Sequence, residues 1–228
     1  MTNFKCLSRF ALKVIALLAM VVDHCGLVLY YWLAHFHKYP EELYTAMRYI
    51  GRISFPIYCF LLAEGFVHTK NVKKYASRVL LFAFASEIPF DYMLKYKPFT
   101  LECQNVMFTL FLGICAMHFA KMVKDGKYIF LPLTAVPFLL AHFGNTDYGA
   151  WGVCLILLFY LLRSSSALMY TGVSAVLFAK HTASTFAILP IMMYNGQRGK
   201  LRLKYFFYAF YPVHIIILCV IRYFVFGF

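Results

Sequence analysis

Residues 11–31, ALKVIALLAMVVDHCGLVLYY, form an apolar run long enough to cross a bilayer, with Asp23 and His24 side by side deep inside it. A span needs about 20 apolar residues. An ionisable pair at that depth is costly, and such residues face the protein interior and mark functional sites or find partners there. The plain alternative is that His24 packs and Asp23 tethers one helix to another. Much of the remaining sequence bears on which partners exist.

Apolar runs recur along the chain, at 47–68, 76–94, 106–123, 128–143, 148–162, 167–179, 183–194 and 205–225. They are continuous rather than alternating, so they predict helices and not barrel strands. With 63% hydrophobic and 14% charged residues over 228 positions, the chain departs from soluble composition. The expected fold is all-α, a polytopic transmembrane bundle of about nine spans forming a single integral-membrane domain over residues 1–228. The run 167–194 leaves one long tilted helix or two short ones open.

The net charge of +13 would suggest nucleic acid in a soluble protein. Here the basic residues sit in short loops between apolar runs. With nine spans and a cytoplasmic N-terminus, most of the 22 Lys and Arg residues fall inside, including the clusters at 70–78 and 198–204. Nucleic-acid binding is therefore not expected, whereas contact with membrane lipids is. Seven cysteines without a CxxC, most of them inside apolar runs, argue against a disulfide framework or a zinc site, and no metal is expected. No internal repeat is visible.

This topology converts the polar residues into a depth map, since helices rise about 1.5 Å per residue. Asp23, His24, Arg48, Arg52, Asp91 and Asn105 come from four helices and fall at a similar level in the outer half. That agreement predicts a polar chamber opening outward; a structural ion-pair network is the competing reading. His214, just past Pro212 in the last run, lies near mid-membrane. Glu64 falls in the inner half, at a cytoplasmic entrance or as a cap beside Lys70, Lys73 or Lys74. In NGQRG at 195–199, the glycines would let backbone N–H groups approach an anion, and Arg198 can bind phosphate in a fork.

Several segments together carry a family resemblance: LKVIALLAMVVDHCG, RYIGRISFPIYCFLLAEGF, KYASR with FAFASEIPFDYM, QNVMFTLFLG, DYGAWGV, YNGQRG and KYFFYAFYPVHIIIL. In that order, over nearly the whole chain, they resemble the TraX-like membrane proteins, named for an enzyme that N-acetylates conjugative pilin. The resemblance implies an acetyltransferase of a bacterial cytoplasmic membrane that uses acetyl-CoA. The acceptor would be an amine or hydroxyl, on a pilin or other peptide or on a surface glycan.

The resemblance points to His24 and Asp23, with Arg48 and Arg52 in the RYIGR segment and Asp91 in the PFD motif. Glu87 departs from the glutamine common in the family. Read as chemistry, His24 is the general base, and Asp23 or Asp91 its partner. Arg48, Arg52, Asn105 and His214 line the oxyanion and acceptor side. Arg78, Arg198 and Lys200 meet the phosphates of acetyl-CoA. A transporter using Asp23, Asp91 and Arg52 as a relay is the rival class, and a non-enzymatic assembly factor the third.

Overall fold

Three of the helices begin where a short polar side chain stands just ahead of them. Ser8 Oγ accepts from Ala11 N–H at 3.2 Å, Asn71 Oδ1 from Lys74 N–H at 2.9 Å, and Asn105 Oδ1 from Met107 N–H at 3.0 Å. Each satisfies a donor that a helix start leaves open. The computed structural model describes residues 5–35, 41–95, 97, 99–199 and 203–226. Among these there is no strand, only two isolated bridges, Leu7 with Tyr194 and Gln104 with Thr146.

Among the described residues ten α-helices follow one another: α1 Arg9–His35, α2 Glu41–Gly51, α3 Ser54–Val67, α4 Val72–Lys95, α5 Val106–Lys124, α6 Val136–Phe143, α7 Gly149–Leu161, α8 Ser166–Lys180, α9 Ile188–Met192 and α10 Lys204–Phe226. Four stretches among the described residues are long and apolar enough to cross a membrane: Arg9–Tyr30, Glu41–Val67, Val106–Lys124 and Tyr205–Phe224. The other apolar helices, at Tyr128–Phe143, Gly149–Ser164, Ser166–Lys180 and Thr182–Met192, are shorter.

Three of the expected runs are interrupted, each for a local reason. The run 47–68 is not one helix. It breaks at Arg52 and Ile53, because Pro56 has no N–H to give the carbonyl of residue 52 and its ring crowds that carbonyl. The run 128–143 opens as two 3₁₀ turns, Tyr128–Phe130 and Pro132–Thr134, before α6, with Pro132 and Pro137 in it. The run 167–194 is two pieces. His181 takes an extended backbone, φ −152° and ψ 110°, between α8 and the 3₁₀ stretch Thr182–Ala187.

The chain divides into two compact units. One comprises Met1–Tyr58 and Tyr170–Phe228, the other Cys59–Met169. In the second unit, Leu112 and Ala116 of α5, Ala141 of α6 and Val153 of α7 form a core, with Phe111 and Phe138 packed on it. At Gly113 a methyl group would run into Ile156, so α5 and α7 approach closely there.

In the first unit, α1 and α2 form an antiparallel hairpin with a readable register. Tyr30 meets Tyr44 at a ring separation of 4.6 Å, Gly26 faces Met47, and Gly51 faces Asp23. At the start of α3, Ser54 Oγ donates to Ala16 O at 2.8 Å. α10 lies on α1 and runs in the same sense, since Phe10 meets Phe207 and His24 meets His214.

A methyl at Gly51 would overlap both Cβ and the carboxylate of Asp23, neither of which is a free chain end. Gly51→Ala is expected to separate α1 from α2 and destabilise the protein by about 1–3 kcal/mol. Thermal unfolding in detergent measures this, and an unchanged transition would contradict the close approach.

Candidate active site

α1 places Asp23 and His24 next to each other, but about 100° apart around the helix axis they point to different neighbours. Asp23 faces α2. Its Oδ2 accepts from Arg48 Nη1 at 2.6 Å, and the two side chains are 19% and 22% exposed. That shielding makes the pair stronger than one at an open surface.

His24 faces α10. Its Nδ1 lies 2.7 Å from Nε2 of His214. The ring centroids are 4.9 Å apart and the planes differ by 6°. With the ring edges in hydrogen-bond contact, that separation means two rings nearly edge to edge in one plane, not face to face.

The proton positions in this pair follow from the far end. Nδ1 of His214 is 2.8 Å from Phe210 O. A carbonyl only accepts, so Nδ1 of His214 donates. With both rings neutral, His214 Nε2 is then an acceptor and takes the Nδ1–H of His24. The lone pair of His24 is left on Nε2, and among the described residues nothing is hydrogen-bonded to that atom. The relay therefore sets His24 in one tautomer, as a fixed partner does for a catalytic or metal-bound histidine. His214 is buried at 6% exposure. It was expected on the acceptor side; the structure makes it the partner that orients His24, a role that was expected of Asp23 or Asp91.

Arg52 follows Gly51 directly and keeps a helical turn with Arg48 through Arg52 N–H to Arg48 O, 3.1 Å. The charges of Arg48 and Arg52 are both felt at Asp23 and at His181. His181 had no sequence signal beyond its place between two short apolar runs.

Asn105, Asp91 and Glu64 lie in the second unit and are engaged there. Asn105, fully buried, caps α5; its Nδ2 donates to Ala83 O at 2.8 Å and to Glu87 Oε2. Its backbone N–H also reaches Glu87 Oε2 at 3.2 Å. Asn105 thus has no side-chain donor left over for an oxyanion. Asp91, 1% exposed, accepts from Thr100 N–H at 2.8 Å and holds the loop after α4. Glu64, buried on α3, pairs with Arg163 Nε at 2.7 Å.

Of the residues expected at phosphates, Arg78 is half-buried on α4 and Arg198 is exposed in the turn after α9. Lys200 lies outside the described residues. The glycines around Arg198 have a structural use: Gly196 and Gly199 take φ of +77° and +85°. This turn lets Gln197 O accept from Arg9 N–H at 2.8 Å, so the first turn of α1 is capped from within the protein.

The chain is similar to the probable fimbrial assembly protein FimC, serogroup H1, of Dichelobacter nodosus, with 29% identity over 242 residues, covering 93% of this chain and 94% of the relative. It is also similar to the uncharacterized protein RP591 of Rickettsia prowazekii, strain Madrid E, with 26% identity over 198 residues, 85% of this chain and 72% of that protein. No solved structure matches it. A family model described as TraX protein matches residues 8–222, and the chain belongs to that family.

Proposed function

We propose that this protein is an integral-membrane acetyltransferase that moves an acetyl group from acetyl-CoA to an amine or hydroxyl. The observation that carries the reading is the chain Phe210 O, His214, His24, which leaves a positioned basic nitrogen at His24 Nε2. In the reaction, the acceptor's nucleophilic atom attacks the thioester carbonyl and its proton passes to His24 Nε2. The carbon–sulfur bond breaks, and the same proton goes on to the departing thiolate of coenzyme A.

His214 stabilises the imidazolium by accepting from His24 Nδ1. Arg48, held by Asp23 through one N–H, retains further donors for the charge that develops on the carbonyl oxygen. Asp91 and Asn105 act as scaffold and not in the chemistry. The name of the Dichelobacter relative favours a fimbrial subunit as the acceptor.

About nine crossings, an N-terminus in the cytoplasm and residence in the bacterial cytoplasmic membrane accord with this reading. α1 and α10 running in the same sense is what an odd number of crossings requires. Arg198, Arg78 and Lys200 are the proposed contacts of the donor's phosphates.

The test is acetyl-CoA turnover by the purified protein in lipid, read as free thiol and as acetyl mass on a peptide amine. Thiol release matched by acetylated peptide is expected. Absence of both release and acetyl-CoA binding would end the proposal. Arg198→Ala is expected to raise the acetyl-CoA KM about tenfold, the worth of one charge-assisted contact, with kcat little changed. An unchanged KM would remove Arg198 from the donor site.

A further inference from the structure

Among the described residues a single carboxylate, Asp23, serves two guanidiniums of the site, bonding Arg48 and reaching Arg52 only through space. The unit formed by 1–58 and 170–228 has three acidic residues in its sequence, Asp23, Glu41 and Glu42. Asp23 is committed to Arg48. Glu41 and Glu42 sit in the exposed first turn of α2, about 15 Å along the helix from Arg52 at 1.5 Å per residue. Among the described residues Arg52 makes no side-chain hydrogen bond or ion pair, and its neighbours Lys180 and His181 bring no negative charge.

Arg52 is also half-buried, and its place is fixed. It stands at the break made by Pro56, one residue after the glycine that presses on Asp23. A guanidinium withdrawn from water without a counter-charge is costly, so such a group calls for an anion from outside. The donor does not supply it: the phosphates of acetyl-CoA lie at the far end of the pantetheine arm from the thioester. Arg52 stands one helical turn from Arg48, whose charge reaches His24, so an anion held there lies on the thioester side of the donor and belongs to the other substrate or to a lipid headgroup.

We propose that Arg52 receives an anionic group of the acceptor, a carboxylate or phosphate placed close to the atom that takes the acetyl group. This rests on the acetyltransferase reading and gives it a substrate class, an acceptor with its own negative charge beside the nucleophile.

The probes are short peptides with a free α-amine, carrying glutamate, phosphoserine or glutamine as the second residue. Their binding is titrated on the protein in zwitterionic bilayers, separately from turnover. The anionic peptides are expected to bind at least about tenfold more tightly than the glutamine peptide. Arg52→Gln is expected to abolish the preference and Arg52→Lys to restore part of it, both variants eluting as the wild type does.

No preference, whether the peptides bind alike or none binds, overturns the proposal. Binding that is blocked by anionic phospholipid in the wild type but not in Arg52→Gln, without discrimination among peptides, assigns the anion to a headgroup and also overturns it. Acetyl transfer without a preference for charge overturns this inference alone. A preference without any acetyl transfer overturns the chemistry and leaves the anion site standing.

Discussion

Replacing His24 with alanine is expected to lower acetyl transfer by roughly 10²–10⁴-fold, the usual contribution of a positioned general base. The protein should still fold, because His24 is only partly buried and its one polar tie among the described residues is to His214. Thiol release from acetyl-CoA measures the loss, and elution in size-exclusion chromatography checks the fold. The companion variants separate chemistry from packing. His214→Gln keeps an amide oxygen that can accept from His24 Nδ1 and is expected to retain part of the activity. His214→Phe fills the space but offers no acceptor, and should resemble His24→Ala. Full activity in His24→Ala, or equal activity in the two His214 variants, would contradict the relay.

The second large effect concerns stability. Asn105→Ala removes the cap of α5, a loss of about 0.5–2 kcal/mol. It also strips Ala83 O and Glu87 of a buried donor, each such orphan costing about 1–3 kcal/mol. The variant is expected to unfold at least several degrees below the wild type in a thermal scan followed by far-ultraviolet circular dichroism. Activity per folded molecule should stay close to that of the wild type. A well-folded Asn105→Ala that has lost transfer would reverse this and return Asn105 to the oxyanion.

Asn105 shows how far a depth map reaches. Its level along α5 is legible from sequence, and so was its position before an apolar run, which is a cap signal. Equal depth alone does not say which way a side chain points or what it touches. Local partners, Ala83 O and Glu87, take its whole amide. By contrast, Asp23 and Arg48 were both named as site residues because each is a charge inside an apolar run. The break after Gly51 was also written in the sequence, in Pro56, but the apolar run around it hid the interruption. The bond between His24 and His214 was not readable: the two residues are 190 positions apart, and which neighbour α1 would choose depends on tertiary packing.

That separation has a consequence for how the protein is made. α1 leaves the ribosome with an acid and an imidazole on it, and α2 can pair with the acid almost at once. The imidazole must wait for α10, while the whole of Cys59–Met169 is synthesised in between. At about 5–20 residues per second the delay is roughly 10–40 s. Every nascent chain short of α10 thus carries His24 without the partner that orients it, so the relay of imidazoles is completed only on a finished chain.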